Sequence, residues 1–95
     1  MGTLERARRD FLAHLRQARR LSPHTLRAYG SDLERLLQFL EEEGPLPSPK
    51  DIQASRLRLH LGRLADHGLG PSSLSRHLST VKTFFGWLET EGRIP

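Results

Sequence analysis

Apolar residues along the chain recur at helical spacing and never alternate with polar residues over the length of a β-strand. Leucine dominates the apolar set. The β-branched aliphatic residues, which favour strands, are limited to Ile52, Val81 and Ile94. The pattern predicts an all-α protein with four helices, at about residues 3–19, 23–43, 54–67 and 71–91.

Proline and glycine mark the ends of the two longer helices. Pro23 and Pro71 suit the first helical position, where the missing N–H leaves no helical hydrogen bond unmade. Gly44 and Gly92 follow the last residues of the apolar pattern and suit a helix stop. The three prolines within residues 45–49 indicate a stiff connector between the second and third helices.

The sequence contains an internal repeat. Residues 21–44 can be laid on residues 69–92 without a gap, at an offset of 48 residues. Leu, Pro, Glu and Gly coincide at several positions, and others match in kind, such as Leu36 with Phe84. We therefore expect a single domain over residues 1–95, a four-helix bundle of two packed helical hairpins with the second and fourth helices in equivalent roles. The repeat fits either a duplication or capping constraints shared by two similar helices.

On a helical wheel, each longer helix has an apolar arc and an opposite polar arc. The inward residues are Leu26, Tyr29, Leu33, Leu36, Leu37 and Leu40 in the second helix and Leu74, His77, Leu78, Val81, Phe84, Phe85 and Leu88 in the fourth. The outward residues are His24, Arg27, Ala28, Ser31, Arg35 and Gln38 in the second helix and Ser72, Ser75, Arg76, Ser79, Lys82, Thr83 and Gly86 in the fourth. Solvated helix faces are usually rich in Glu and Lys, whereas these faces carry small hydroxyl residues and Arg. Such faces suit close approach to a DNA major groove, and a neutral solvent-exposed surface is the alternative.

Charge is unevenly distributed along the chain, which has a formal net charge of +4 and 13 Arg among its 15 cations. Residues 1–31 carry a net charge of +5, residues 32–51 carry −4 and residues 52–88 carry +4. Arg can form bidentate hydrogen bonds with phosphates and guanine edges. The free amides and the positive dipole ends at the starts of the two longer helices also favour an anion. These features predict that both helix starts grip one polyanion; an ordinary basic domain with solvated charges is the alternative.

Several function classes find no support in the sequence. Without Cys there is no disulfide, thiol nucleophile or zinc–thiolate site. No window is apolar enough to span a membrane, and the N-terminus lacks the apolar core of a signal peptide, so we expect a cytoplasmic protein without membrane contact. The five His residues lack metal-ligand spacing, and no catalytic motif is visible. We therefore expect no metal, no cofactor and no catalytic residue.

Residues 21–33, Leu-Ser-Pro-His-Thr-Leu-Arg-Ala-Tyr-Gly-Ser-Asp-Leu, resemble the N-terminal core-binding domain of the tyrosine recombinases, the phage-integrase and Xer-type enzymes, a domain often called SAM-like. Residues 11–15 and 71–88 resemble other parts of the same domain. The resemblance implies a four-helix bundle that forms half of a C-shaped clamp around duplex DNA, with the second and fourth helices across the major groove. It also implies that the catalytic domain is absent from this chain, and that sister recombinase subunits are its partners in a synaptic complex.

The resemblance also implies roles for individual residues. Thr25 and Tyr29 match positions that brace the helix against the phosphate backbone. The outward positions implied to reach DNA are Arg27, Ser31, Arg76 and Lys82. Together with the outward faces, the predicted DNA-binding set is Ser22, His24, Thr25, Arg27, Ala28, Tyr29, Ser31, Arg35, Ser72, Ser73, Ser75, Arg76, Ser79, Lys82 and Thr83. One departure is Gly30-Ser31, where many relatives have two arginines; Gly30 costs the helix up to about 1 kcal/mol relative to Ala and removes a cation.

Two other hypotheses remain open. The chain could be a SAM-like helical protein-interaction module that binds an acidic partner. It could also be a small independent enzyme, a hypothesis that only the scattered His residues support. An exposed apolar patch would favour protein binding, whereas a basic, hydroxyl-rich concave face would favour DNA. The arginines around the first helix could serve DNA, a neighbouring subunit or both. We expect the isolated domain to be a monomer.

Overall fold

A computed structural model of the chain describes residues 3–42 and 44–94, with only the backbone at residue 3. These residues form four α-helices, α1 (Thr3–Ala18), α2 (Pro23–Glu41), α3 (Ala54–Asp66) and α4 (Pro71–Thr90). A 3₁₀ turn at Pro49–Asp51 lies in the proline-rich connector between α2 and α3. The described residues contain no strand, and the predicted all-α class is confirmed.

The helices begin at the predicted residues and end one or two residues earlier than predicted. Glu43, the last residue predicted for α2, lies outside the described residues. After α2 and α4, Gly44 and Gly92 have φ angles of +132° and +71°. L side chains rarely adopt this region, so each glycine permits a turn that ends its helix.

The core is built from α1, α2 and α4. The ring of Phe11 in α1 lies 5.3 Å from that of Phe84 and 5.5 Å from that of Trp87, both in α4. The buried apolar residues are Leu4, Ala7, Phe11, Leu15, Leu33, Leu36, Leu37, Phe39, Leu40, Val81, Phe84 and Leu88. Burying a large apolar side chain contributes about 1.5–3 kcal/mol, so this shared core holds the hairpin α1–α2 against the hairpin α3–α4. Within the second hairpin, α3 packs on α4.

The predicted inward arcs are not buried throughout, and Leu74, Leu78 and Phe85 of α4 are half-buried. Leu26 and Tyr29 are only half-buried, because they lie in the first two turns of α2, where the helix approaches the end of the bundle. Tyr29 packs edge-on against Phe11, with ring centroids 6.1 Å apart. Phe39, which the wheel left outside the arc, is buried because α3 covers it; its ring lies 4.9 Å from the ring of His60.

The helices α2 and α4 meet at positions that the 48-residue repeat makes equivalent. Thr80 Oγ1 of α4 donates a 3.0 Å hydrogen bond to Asp32 Oδ2 of α2. Both side chains are buried, although the helical wheel assigned neither of them inward. The contact fixes where the two long helices cross. Within the part of the chain that the structure describes, no helix combines the length and apolar character that crossing a lipid bilayer requires.

Candidate nucleic-acid interface

A cleft of about 290 Å³ lies between the N-terminal halves of α2 and α4. Its lining comprises His24, Thr25, Ala28, Tyr29 and Asp32 from α2 and Arg76, Ser79 and Thr80 from α4. Asp32 and Thr80, which join the two helices by a hydrogen bond, are both part of this lining.

The floor of the cleft is a fully buried carboxylate, Asp32. Arg76 donates to it from two nitrogens, with Nε 3.2 Å from Oδ2 and Nη2 2.9 Å from Oδ1. The hydroxyl of Thr80 supplies a third hydrogen bond. A planar guanidinium matches both carboxylate oxygens at once, which is the geometry of the strongest protein ion pairs. The pair therefore links α4 to α2 across 44 residues of sequence.

The electrostatics of the pair follow from this geometry. Burial alone would raise the pKa of Asp32, but the hydrogen bonds from Arg76 and Thr80 outweigh it and hold the pKa below its usual value. The same hydrogen bond raises the pKa of Arg76. Both groups are therefore charged near neutral pH. The Arg76 side chain remains 51% exposed, so the guanidinium also faces the solvent.

Two buried histidines extend the polar cluster toward α3. His77 Nδ1 lies 3.4 Å from Asp32 Oδ1 without completing a hydrogen bond. Its Nε2 lies 2.8 Å from Nε2 of His60. The carboxylate favours the proton of His77 on Nδ1, which makes His60 the donor between the two rings.

Both histidines are neutral near pH 7. Burial, together with the neighbouring His77, lowers the pKa of His60 to about 4. Burial also lowers the pKa of His77, against the raising effect of Asp32. A buried imidazolium would lose its hydration without gaining an equivalent partner, which is why the neutral forms are favoured. The described residues hold no group of three or more His, Cys, Asp or Glu side chains arranged to bind a metal ion.

The structure brings together only part of the predicted DNA-binding set. The predicted residues that line the cleft are His24, Thr25, Ala28, Tyr29, Arg76 and Ser79. The predicted residues that lie outside its lining but on α2, at its N-cap or on the first turns of α4 are Ser22, Arg27, Ser31, Ser72, Ser73 and Ser75. All of these are exposed except Ser73, which is half-buried.

Three predicted residues lie farther around the bundle. Arg35 is half-buried beside α3, where it lines a groove with His60 and His67. Lys82 is exposed and lines a second groove between α3 and α4. Thr83 is half-buried on the side that faces α1, and its hydroxyl donates to the Ser79 carbonyl at 2.8 Å.

The two helix starts differ in how they are capped. The Ser22 hydroxyl accepts a hydrogen bond from the amide of Thr25 at 3.2 Å and donates to the Thr25 hydroxyl at 3.0 Å. Gly70, the N-cap of α4, offers no side-chain cap. The first amides of α4 are therefore the ones left for a different acceptor.

Arg8 of α1 lies next to the departure at Gly30. Its Nη2 donates to the Gly30 carbonyl at 3.3 Å, whereas its buried Nε has no hydrogen-bond partner among the described residues. A Cβ at residue 30 would lie 3.7 Å from Leu12 Cδ1, which is ordinary van der Waals contact. Gly30 is therefore not required by packing, and α1 brings a cation to the place where the sequence of α2 lacks one.

Sequence reasoning missed the residues that organise the cleft, Asp32 and Thr80. A signal for them was present, because each stands one helical turn before a core residue, Leu36 and Phe84 respectively. A polar residue at that spacing shares the buried face of the helix. Sequence reasoning also missed the apolar groove of about 230 Å³ between α3 and α4, whose lining includes Leu57, Leu61, Leu78 and Phe85.

Comparison with known proteins gives a consistent set of relatives. The family model described as phage integrase, N-terminal SAM-like domain, matches residues 9–92. The chain is similar to tyrosine recombinase XerC of Chlorobaculum parvum, with 39% identity over 89 residues that cover 88% of this chain and 26% of that protein. It is also similar to XerC of Pseudomonas fluorescens, with 42% identity over 82 residues that cover 86% of this chain and 27% of that protein.

A third relative is XerC of Pseudomonas putida, 37% identical over 89 residues that cover 94% of this chain and 29% of that protein. The chain therefore spans a little over a quarter of the length of the curated relatives it matches. None of the solved structures matches the chain at a significant level.

Proposed function

We propose that this chain, which belongs to the phage integrase N-terminal SAM-like domain family, grips duplex DNA as one half of a clamp in a site-specific tyrosine recombinase. Because the chain spans only 26–29% of the recombinases it resembles, strand cleavage and rejoining are assigned to a catalytic domain outside these 95 residues. Sister recombinase subunits are the proposed partners in the assembled complex.

The observation that carries this proposal is the convergence of two like helices on one cleft. The first turns of α2 and α4 present hydroxyl groups, small side chains and exposed cations on the same side of the bundle. Hydroxyls and amides suit phosphate oxygens, and Arg suits both phosphates and base edges. The pairing of Arg76 with Asp32 leaves Arg27 and Lys82, both exposed and both outside the lining of the cleft, as the cations of α2 and α4 proposed to attract the polyanion.

Binding should be mainly electrostatic and weak for the isolated domain, because the other half of the clamp is absent. If about four or five phosphates are neutralised, the plot of log affinity against log salt concentration has a slope of about −3 to −5. Fluorescence anisotropy with a labelled duplex, between about 50 and about 200 mM salt, measures that slope.

The two lysines of the chain provide a matched pair of variants for this test. Lys82→Met removes a cation from the outward face of α4 and should reduce the steepness of the slope by about one. Lys50→Met removes an exposed lysine from the 3₁₀ turn, away from α2 and α4, and should leave the slope unchanged. Absence of binding at low salt, or equal effects of the two substitutions, would contradict the proposal.

A second candidate function has its own structural observation. The groove between α3 and α4 is apolar, and Arg58 and Lys82 line it without any carboxylate. An apolar groove with cations at its rim fits an acidic amphipathic helix, which is the alternative of an interaction module with an acidic partner.

The substitution Leu61→Ser separates the two candidates, because it makes the wall of the groove polar and leaves the cleft between α2 and α4 intact. If the cleft binds DNA, the affinity for duplex should not change. If the groove is the functional surface, a synthetic acidic helical peptide with leucines on one face should bind the unmodified chain and lose affinity for the variant.

A further inference from the structure

We propose that Asp32 is a positioning residue that holds Arg76 as a fixed, charge-compensated hydrogen-bond donor, so that this pair determines which DNA sequences are bound rather than how strongly DNA is bound. The inference rests on the proposed DNA-binding function and adds to it. Asp32 forms the floor of the cleft but is fully buried, so Arg76 is the member of the pair that is exposed to a ligand.

The hydrogen-bond geometry divides the five donors of the guanidinium into two groups. The N–H of Nε and one N–H of Nη2 are directed at the two oxygens of Asp32. The donors of Nη1 and the second N–H of Nη2 are left for another acceptor. The side chain is 51% exposed, so it is open to an acceptor outside the protein. Arg76 can therefore donate to DNA without releasing Asp32.

The carboxylate is itself fixed, so the position of the guanidinium is set by two helices at once. Thr80 Oγ1 donates to Asp32 Oδ2 and also lies 3.1 Å from the Arg76 carbonyl oxygen. His77 closes the other side of the carboxylate. A free arginine must lose much of its rotamer freedom when it meets a ligand, whereas Arg76 has already lost it.

The charge of the pair leads to the same inference. An acceptor at the mouth of the cleft sees the positive charge of Arg76 together with the negative charge of Asp32, 2.9 Å away. Attraction at longer range is therefore largely cancelled, and hydrogen bonds at short range remain. A fixed donor of this kind discriminates between base edges more than it attracts phosphates. By contrast, Arg27 is exposed on α2 and forms no ion pair among the described residues, so no carboxylate offsets its charge in the same way.

The experiment selects a library of randomised DNA duplexes with the 95-residue chain and sequences the bound fraction. The variants are Asp32→Asn, which is isosteric, and Arg76→Lys, which keeps the charge but lacks the planar fork of N–H groups that matches both carboxylate oxygens. The control is Arg63→Lys, at an exposed arginine that pairs with Glu42 outside the cleft. For the two test variants we expect total binding of the library at low salt to stay the same or rise. The enrichment of the best sequences over the median should fall by about tenfold, which is within the range for the loss of one base contact. Arg63→Lys should leave both quantities unchanged.

This readout separates positioning from a structural role, because a damaged fold lowers total binding and enrichment together. Circular dichroism melting verifies that each variant is folded, and Arg76→Lys carries the test if Asp32→Asn does not fold. Unchanged enrichment in a folded test variant overturns this inference and leaves the proposed function standing. Binding without any enrichment by the unmodified chain has the same consequence, whereas no binding by the unmodified chain overturns the proposed function and this inference together.

Discussion

The two long helices, α2 and α4, share an apolar pattern but contribute different chemistry where they meet. At equivalent positions of the repeat, α2 has Asp32 and α4 has Thr80. The donors that surround the carboxylate are all on α4, whereas α2 contributes the single acceptor. The two copies of a repeat can therefore pack their apolar residues alike and still contribute different polar groups to the contact between them. Substituting the residues that differ between α2 and α4 shows how much each difference contributes to stability.

The largest expected effect comes from removing the cation that compensates the buried carboxylate. Arg76→Ala leaves Asp32 buried without its counterion, and Arg27→Ala removes an exposed arginine from α2. Because water can reach part of the vacated site, we expect Arg76→Ala to lower the free energy of unfolding by about 2–3 kcal/mol, somewhat less than for a fully buried pair. Arg27→Ala should change it by no more than about 0.5 kcal/mol. Denaturant unfolding followed by circular dichroism measures both.

A double variant verifies the cause. Adding Asp32→Asn to Arg76→Ala removes the uncompensated charge, so the double variant should recover part of the lost stability. If Arg76→Ala costs no more than Arg27→Ala, or if the double variant is as unstable as the sum of its parts, the buried pair does not hold α2 to α4.

A second difference is that α4 carries His77 where α2 carries Tyr29, and His77 faces His60 of α3. The pKa of His60 is about 4 in the folded chain and about 6.5 in an unfolded one. The unfolded state therefore binds more protons between these values, and stability falls as the pH drops from about 6.5 to about 4. One such group contributes a slope of at most about 1.4 kcal/mol per pH unit.

The variant His60→Gln should flatten the dependence of unfolding free energy on pH by up to that amount, because it removes the proton uptake of His60. The contribution of Asp32 has the same sign but is lost only below about pH 4, since its folded pKa lies below the value of a free Asp. An unchanged slope between about pH 6.5 and about pH 4.5 in His60→Gln would contradict this account.

The smallest expected effect concerns the two helix starts. Ser22→Ala removes the side-chain cap of α2 and should cost about 1 kcal/mol, whereas Gly70→Ser at the start of α4 should gain only a few tenths. Thermal unfolding of the two variants beside the unmodified chain measures the difference. Equal and opposite effects would mean that the Ser22 hydroxyl adds no more to α2 than a new hydroxyl adds to α4.

Much of the fold could be predicted from the sequence because its determinants are local. Pro23, Pro71, Gly44 and Gly92 act within one or two turns of their own positions, and the spacing of leucines fixes which face is buried. The ends of the helices were predicted less well than their starts, since the last turn depends on packing as much as on a stop residue.

The organisation of the cleft could not be predicted in the same way. Asp32 finds its partners 44 to 48 residues later, on a helix that the chain reaches only after α3. The spacing of Asp32 before Leu36 indicates that it faces inward, but no local rule says that Arg76 and Thr80 meet it there. The helical wheel places Arg76 on the outward face of α4, but it does not predict that Asp32 of α2 binds this arginine.

DNA binding by the cleft is tested most directly by titrating the ¹⁵N-labelled chain with a mixed-sequence DNA duplex two helical turns long, at low salt, followed by NMR. If the cleft binds DNA, the largest shift changes fall in the first halves of α2 and α4, with Ser72 and Ser79 of α4 among the residues affected. Changes confined to α3 and the connector before it, or no changes at all, would contradict it.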